Sequence, residues 1–203
     1  MDILFIILFS YLSGSIPFGL LLTKYFGKID IRNIGSGNIG ATNVLRTGNK
    51  FLAIATLFLD GLKGFVPIII TVKYFPEFVH LSCLLSFLGH LFPVWLKFKG
   101  GKGVATYLGI LFALSLQLAL LFIFSWLVIS LIFRYSSLSS MFSALTVFVV
   151  SSVKITALKY IKPSINYDES SSLILFIFFI LIIFSHRKNI SNLKNKKEQK
   201  IKI

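Results

Sequence analysis

This chain of 203 residues has little of what a soluble domain needs to stay in water. Only 14% of its residues are charged, against about 25% in an average soluble domain. Hydrophobic residues make up 56%, and the mean hydropathy is +0.86. A small soluble domain leaves much of its surface in water and could not hide so much apolar surface. The composition therefore excludes an ordinary soluble domain and indicates a protein of the bilayer.

Cysteine and acidic residues are also scarce. The single cysteine, Cys83, excludes a disulfide within the chain and is expected to be a small buried apolar residue. Seven acidic residues face 21 Lys and Arg, which gives a net charge of +14. Nucleic-acid binding would need those cations interleaved with aromatics on a water-facing surface. Here the 22 Phe lie mostly in apolar runs and the cations in the connections, so we expect no nucleic-acid partner.

Six apolar blocks follow one another along the chain. They are Ile3–Leu22, Phe51–Val72, Phe78–Leu96, Val104–Phe133, Leu138–Val153 and Leu173–Phe184. The first lacks a basic n-region and a cleavage site, so it is expected to remain as a helix. The fourth exceeds the ~20 residues that cross a bilayer, and it is either one tilted helix or two turning near Ser115–Gln117. The last is short and is expected to recruit Ser170–Ser172 and Ser185.

The distribution of basic residues chooses between six and seven helices. With seven, the face that receives the loops 23–50, 97–103 and 134–140 and the tail 187–203 carries sixteen Lys and Arg, and the other face four. With six, the basic tail would lie outside. The positive-inside rule therefore favours seven. We predict an all-α integral membrane protein with about seven transmembrane helices, the N-terminus outside and the C-terminus cytoplasmic. It is one polytopic domain over 1–203, with the transmembrane region at 1–186.

The loop Gly27–Lys50 has the composition of an anion-binding turn. Closely spaced glycines let backbone amides approach an anion, Ser, Asn and Thr add donors, and Arg grips phosphate oxygens in a fork. A helix opening near Thr42 would add its dipole. The candidate residues are Gly35, Ser36, Gly37, Asn38, Gly40, Thr42, Asn43 and Arg46. The alternative is a flexible glycine linker, and the pattern is not a P-loop.

A second glycine turn, Lys99–Gly103, precedes the fourth apolar block. Gly100, Gly101 and Gly103 surround Lys102 at a predicted helix start, where amides and the ammonium group would meet an anion together. Lys97 and Lys99 are more simply explained as membrane anchors. His90, near a helix end, is more simply a structural residue than a catalyst.

Further polar residues lie at three other places. Arg134–Ser140 puts a cation before Ser139 and Ser140, which can cap a helix or donate to a ligand. His186 and Asn189 leave the last apolar block together, and Glu198 follows. Asp60 and Lys63 lie three apart within an apolar block, where an ion pair is the natural arrangement.

These stretches together resemble the PlsY family, bacterial membrane acyl-phosphate:glycerol-3-phosphate acyltransferases. The matching segments cover nearly the whole chain in the family's order: GSIPFG at Gly14–Gly19, IGSGNIGATNVLR at Ile34–Arg46, DGLKG at Asp60–Gly64, GHLFPVWLKFKGGKGVAT at Gly89–Thr106, RYSSLSS at Arg134–Ser140 and HRKNI at His186–Ile190.

The resemblance implies an enzyme of phospholipid biosynthesis in the bacterial cytoplasmic (inner) membrane, with its active site facing the cytoplasm. It would transfer an acyl group from acyl phosphate to glycerol 3-phosphate, producing lysophosphatidate and phosphate. Its partners would be these substrates, the bilayer and the soluble enzyme that supplies acyl phosphate. The residues implied as catalytic are Ser36, Arg46, Lys102, His186 and Asn189. Ser140 would also surround the substrates, and the glycine run near Gly37 would hold the acyl phosphate.

Three positions depart from the family's pattern. Ile39 stands where Pro is usual, which predicts a looser first loop. Asn192 stands where Arg is common and Lys196 where Gly is common. Because the approach of Glu198 to the site depends on that turn, its substrate-binding role is the one these departures affect.

The histidines do not fit a thioester-dependent acyltransferase. Such enzymes commonly depend on a His and an Asp with four residues between them, and Leu85, Trp95 and Ser191 do not supply the carboxylate after His80, His90 and His186. An acyl phosphate already has a good leaving group, so positioned amides and cations would suffice. No cofactor and no metal site are expected. A transporter of an organic phosphate is the competing function, but its site would lie near the midplane and usually between repeats.

Overall fold

The computed structural model describes residues 1–162 and 170–201, and the described residues form α-helices joined by turns, with no strands among them. Contacts within the chain divide it into two compact units, Met1–Leu114 and Ser115–Ile203. The all-α prediction is confirmed.

The first unit contains six α-helices. These are α1 Asp2–Ser15, α2 Phe18–Phe26, α3 Ala41–Leu45, α4 Lys50–Tyr74, α5 Val79–Leu91 and α6 Val104–Leu114. The prediction of one continuous helix over Ile3–Leu22 is wrong, because α1 and α2 meet at a 43° bend. Pro17 lacks an N–H and disfavours helical backbone at the residue before it, and Ile16 is extended.

Glycines bring the helices of this unit into backbone contact. A Cβ on Gly14 of α1 would lie 2.0 Å from the carbonyl oxygen of Ser86 in α5. A Cβ on Gly64 of α4 would lie 2.2 Å from the carbonyl oxygen of Thr106 in α6. Small residues allow this approach, which replaces the hydrophobic driving force that is missing between helices in lipid.

The second unit contains α7 Leu116–Phe133, α8 Ser136–Ile161, α9 Ser170–Ser185 and α10 Arg187–Lys194. The long fourth apolar block therefore forms two helices, the alternative that the count of seven requires, and the break lies at Ser115. The last span takes in the serines at both ends, as expected. The block predicted to end at Val153 continues eight residues further, because polar residues such as Lys154 and Lys159 stay helical beyond the apolar run.

Arg134 and Tyr135 join α7 to α8. Arg134 has φ +63°, a left-handed conformation that ends α7 and starts the reversal. Trp126 on α7 donates its Nε1–H to Ser140 Oγ on α8 at 3.2 Å. Phe148 of α8 and Phe176 of α9 pack with ring centroids 5.2 Å apart.

Within the described part of the chain, four segments are long and apolar enough to cross a membrane: α4, Pro76–Leu96 around α5, α7 and α8. The bent pairs α1 with α2 and α9 with α10 raise the number to six if each is one span. The apolar helix α6 is shorter. These segments agree with the predicted membrane protein, and the number seven and the orientation stay predictions.

Candidate active site

Asn43 organises the first glycine loop from inside it. Its Oδ1 accepts the Ser36 N–H at 3.0 Å, and its Nδ2 lies within 2.8 to 3.1 Å of the carbonyl oxygens of Ile31, Ile34 and Asn38. The residue is 2% exposed. Both hydrogens of this amide are therefore used within the loop. Asn43 was predicted to bind substrate, and its hydrogen bonds here are with the loop backbone and with the Arg46 side chain.

Gly35 lets the chain pass close to this amide. Its φ is +55°, and a Cβ would lie 2.5 Å from Asn43 Oδ1 and 2.9 Å from Arg46 Cδ. Arg46 Nη1 lies 3.4 Å from Asn43 Oδ1. A side chain at Gly35 would therefore displace both residues.

The surface of this loop carries the exposed donors. Ser36, Gly37, Thr42 and Arg46 are exposed, and Asn38 and Gly40 are half-buried. Asn38 Oδ1 accepts the Gly40 N–H at 3.1 Å. The helix that was expected near Thr42 is α3, which has five residues and so supplies little dipole.

An ion pair stands at the entrance to the loop. The Arg32 guanidinium donates to both oxygens of Asp30, and this hydrogen bonding lowers the Asp30 pKa to about 2. Because the pKa of Asp30 is lowered in the folded protein, any stabilisation of the fold by this ion pair is fully present at pH values above the carboxyl group's ordinary pKa. That stabilisation is lost only as the pH falls towards about 2. Asp30 is therefore ionised at neutral pH.

The second glycine turn folds back onto α5. The Gly100 N–H donates to the Leu91 carbonyl at 3.0 Å, and the Gly101 N–H donates to the His90 carbonyl at 3.1 Å. Lys102 is half-buried and lies two residues before α6 begins at Val104. Gly103 has φ +80°, and a Cβ there would lie 2.4 Å from the Phe87 ring. The turn is therefore fixed by backbone bonds and by close packing.

Asp60 and Lys63 form the expected ion pair on α4, with Nζ 2.8 Å from Oδ1. Lys63 Nζ also donates to the Ile16 carbonyl at 2.6 Å, where α1 ends. Both residues are at most 4% exposed. Their charges are thus used between helices of the first unit.

Ser139 and Ser140 in the second unit direct their hydroxyl hydrogens to the backbone. Ser139 donates to the Tyr135 carbonyl and Ser140 to the Ser136 carbonyl, both at 2.9 Å. Both are buried. The prediction that some of the serines in Arg134–Ser140 cap α8 is wrong, because the N-cap is Tyr135 and no side chain caps the helix. Their oxygen lone pairs remain acceptors.

His186 has a defined tautomer. Its Nδ1 lies 2.8 Å from the Ile182 carbonyl oxygen, which can only accept, so Nδ1 carries the hydrogen. In the neutral ring the basic nitrogen is then Nε2. The ring is 1% exposed.

Glu198 joins the tail to α8 and α10. Its Oε1 accepts from Asn189 Nδ2 at 2.6 Å and from Ser137 Oγ at 2.9 Å, and Asn192 Nδ2 lies 3.4 Å from Oε2. The Ile201 N–H donates to the Arg134 carbonyl at 2.7 Å. Ser137 was not among the predicted site residues, although it lies in the serine-rich stretch Arg134–Ser140.

No three His, Cys, Asp or Glu side chains come together as a metal site within 1–162 and 170–201.

A family model described as glycerol-3-phosphate acyltransferase matches residues 4–196. The chain belongs to this family. A glycerol-3-phosphate acyltransferase of Pelagibacter ubique (strain HTCC1062) is 52% identical over 203 residues, all of both chains. One from Mesorhizobium japonicum is 53% identical over 196 residues, which is 96% of this chain and 94% of the relative.

Two crystal structures of PlsY, an integral membrane glycerol 3-phosphate acyltransferase, are similar to this chain. The glycerol 3-phosphate form has a TM-score of 0.89 and 40% identity, covering 100% of this chain and 96% of that one. The lysophosphatidic acid form has a TM-score of 0.86 and 38% identity, covering 98% and 95%. The chain is therefore an integral membrane acyltransferase of phospholipid synthesis.

The tail of this acyltransferase turns at Lys196, the position where the family resemblance led us to expect glycine. After α10 ends at Lys194, Lys196 has φ +57°. The Lys197 N–H donates to the Asn192 carbonyl at 2.8 Å, and the Lys196 N–H donates to the Leu193 carbonyl at 3.1 Å. This is the Schellman pattern, in which the left-handed residue is usually glycine. The turn forms with lysine, and Glu198 reaches Asn189.

Ile39, at the position where Pro is usual, is 3% exposed. Its side chain belongs to an apolar cluster that lies under the first glycine loop and includes Leu20, Ile31, Val44 and Leu52. The loop is thus anchored by a buried side chain at this position.

Proposed function

We propose that this chain is a glycerol-3-phosphate acyltransferase that uses acyl phosphate as donor. Its products would be 1-acyl-glycerol 3-phosphate (lysophosphatidate) and phosphate, in the first step of phospholipid biosynthesis. The observation that carries the proposal is the full-length similarity to PlsY in its glycerol 3-phosphate form. The two ordered glycine turns, each with a basic residue, support a reaction between two phosphate-bearing substrates.

The reaction requires little activation of its donor. The first hydroxyl oxygen of glycerol 3-phosphate attacks the acyl carbonyl carbon, an ester bond forms, and the bond from that carbon to the phosphate oxygen breaks. The hydroxyl proton goes to a phosphate oxygen, so the leaving group departs as hydrogen phosphate. The enzyme's contribution is to position the two anions and to stabilise charge on the carbonyl oxygen and the leaving phosphate.

The residues proposed to act on the substrates lie in three segments of the chain. Ser36 and Arg46 lie exposed on the first glycine loop, where amides, hydroxyl and guanidinium suit the acyl phosphate. Lys102, with Gly100, Gly101 and Gly103, supplies a cation and amides for a phosphate. His186 can accept a hydrogen bond at Nε2, and Asn189 is held in place by Glu198.

Three of the proposed substrate-binding residues take a more specific role. Asn43 positions Ser36 and Arg46 through the loop interior. Ser140 is held between Trp126 and the backbone, which leaves a lone pair to accept from a ligand. Glu198 acts through Asn189.

We also propose seven crossings, with the N-terminus outside and the tail in the cytoplasm. The candidate spans support this number if each bent pair is one crossing and the short apolar helix α6 is another. The distribution of sixteen basic residues on one face against four on the other supports the orientation. Localisation would be the bacterial cytoplasmic membrane, with the active site on the cytoplasmic side, where a soluble enzyme would supply the acyl phosphate.

The decisive experiment is an assay of purified protein in detergent or in vesicles. We expect glycerol 3-phosphate to be acylated from acyl phosphate, with stoichiometric release of phosphate, and little activity with acyl-CoA. The activity should survive a chelator. Efficient use of acyl-CoA alone, or complete loss of activity with a chelator, would contradict the proposal.

A further inference from the structure

The His90 ring lies directly beneath the glycine turn that carries Lys102. A Cβ built on Gly101 would lie 2.2 Å from His90 Nε2 and 3.0 Å from its Cε1. Gly101 is therefore seated against the edge of the imidazole, and any larger residue there would have to displace it. The next residue along the chain is Lys102, so the position of the His90 ring determines the position of the Lys102 backbone.

The ring is itself held from the other side. His90 Nδ1 lies 3.1 Å from Thr106 Oγ1 in the first turn of α6 and 3.9 Å from Asp60 Oδ1 on α4. His90 is 3% exposed and Thr106 is fully buried. Three elements that flank the turn thus fix the orientation of the imidazole: its own helix α5, together with α4 and α6.

Backbone bonds attach the turn to the same residue. The Gly101 N–H donates to the carbonyl oxygen of His90, and the Gly100 N–H donates to that of Leu91. His90 therefore contacts the turn through both its main chain and its ring. The remaining amides of the turn and the Lys102 ammonium are then displayed in one arrangement.

We infer that His90 is a positioning residue: its imidazole is the surface on which Gly101 is set, and through Gly101 it places Lys102 and the amides of the Gly100–Gly103 turn for a substrate phosphate. This rests on the proposed function. The ring acts through packing and through its contact with Thr106, and it exchanges no proton with the substrate.

A pair of alanine substitutions separates this role from a general structural one. Gly101→Ala should impair the enzyme because the new methyl group meets the His90 ring. In a His90→Ala background the ring is gone, so Gly101→Ala should add little further loss. The matched control is Gly100→Ala, whose Cβ would lie 2.1 Å from the His90 carbonyl oxygen, a backbone atom that His90→Ala does not remove. Gly100→Ala should be equally harmful in both backgrounds.

Steady-state kinetics distinguish positioning from proton transfer. For His90→Ala we expect kcat/KM for one of the two phosphate substrates to fall at least about tenfold, but by less than in Lys102→Ala. The pH profile should keep its shape. Thr106→Val should lower kcat/KM by less than His90→Ala. Thr146→Val, which removes only an exposed hydroxyl bonded within its own helix, should behave as wild type.

Amide hydrogen exchange supplies a readout that does not depend on activity. The Gly100 and Gly101 amides should exchange at least about tenfold faster in His90→Ala than in wild type, with other segments of the first unit unchanged. If wild type itself fails to acylate glycerol 3-phosphate, the proposed function falls while this exchange test still stands.

Two results would overturn the inference. One is an equal cost of Gly101→Ala with and without the His90 ring. The other is a collapse of kcat in both His90→Ala and His90→Gln together with loss of one limb of the pH profile, which would make His90 an acid or base. Gel filtration in detergent establishes first that each variant is folded. If His90→Ala does not fold, His90→Gln takes its place in these experiments.

Discussion

Lys63 Nζ lies 2.8 Å from Asp60 Oδ1 one turn away on α4, within a span where both side chains are almost completely removed from the surface. The same ammonium group donates to the Ile16 carbonyl at the helix break before Pro17, and this carbonyl also accepts the Phe18 N–H at 3.1 Å. The charge pair on α4 is thus also bonded to the backbone where α1 ends.

Removing one member of this pair should cost more than replacing both. Lys63→Met leaves the Asp60 carboxylate buried without its cation, which should lower stability by about 3–5 kcal/mol. Asp60→Asn combined with Lys63→Met leaves no uncompensated charge and should lose less than Lys63→Met alone. Thermal unfolding in detergent measures both. A double variant that is less stable than the single variant would contradict this account.

Lys102→Ala should remove most activity while leaving folding and insertion intact. Losing one charge-assisted contact to a phosphate typically costs ~2–4 kcal/mol, about a thirtyfold to thousandfold drop in turnover. Lys97→Ala is the control and should cost little, because Lys97 is an exposed residue outside the glycine turn. If Lys102→Ala retained more than about a third of wild-type turnover, Lys102 would be a membrane anchor and not a catalytic cation.

Asn43→Asp should destabilise the first glycine loop although it changes only one group of atoms. A carboxylate cannot donate to the carbonyl oxygens of Ile31, Ile34 and Asn38, so we expect a loss of about 1–3 kcal/mol and a marked loss of activity. Asn33→Asp, at an exposed position in the same loop, is the matched control. Similar melting temperatures for the two variants would show that the amide is dispensable.

Lys196→Gly should make the protein more stable. A left-handed conformation costs a non-glycine residue roughly 1–2 kcal/mol. Replacing lysine by glycine removes this cost, but the larger conformational entropy that glycine loses on folding offsets about 0.5–1 kcal/mol of the gain. The net gain is up to about 1.5 kcal/mol, visible as a higher melting temperature. Lys197→Gly, one residue later and outside the positive-φ set, should bring no gain. A lower melting temperature for Lys196→Gly would refute the argument from backbone strain.

Cysteine labelling tests the proposed orientation. Cysteines placed at Asn49 and Gln199, both exposed, should react with a membrane-impermeant reagent only after the cells are opened. The native Cys83 is fully buried and should give little background. Labelling of either introduced cysteine in intact cells would place its segment outside.

The spans were predictable where a helix coincides with an apolar run. Helix α4 extends only one residue before and two residues after the block Phe51–Val72. The end of α8 was not, because its last residues include Lys154 and Lys159 and only the structure shows the helix continuing. The break at Ile16–Pro17 was visible in the sequence as a proline, but an apolar run on both sides concealed it.

The site residues were harder to assign than the spans. Asn43 and Asn38 have the same side chain in the same loop, but only Asn43 is turned inward, because carbonyl oxygens 5 to 12 residues away converge on it. Ser137 could not be distinguished from its neighbouring serines, since its partner Glu198 lies 61 positions later. Such roles depend on how distant segments fold back, which local composition does not encode.

The glycine contacts of the first unit also limit the route of a fatty acyl chain. Gly14 lies against the Ser86 backbone and Gly109 lies against the backbone of Gly61, so α1 meets α5 and α4 meets α6 main chain to main chain at these points. At these two contacts no space is left between the helices for a hydrocarbon tail. A lipid tail that moves between the bilayer and the protein has to pass elsewhere, however the head groups are held.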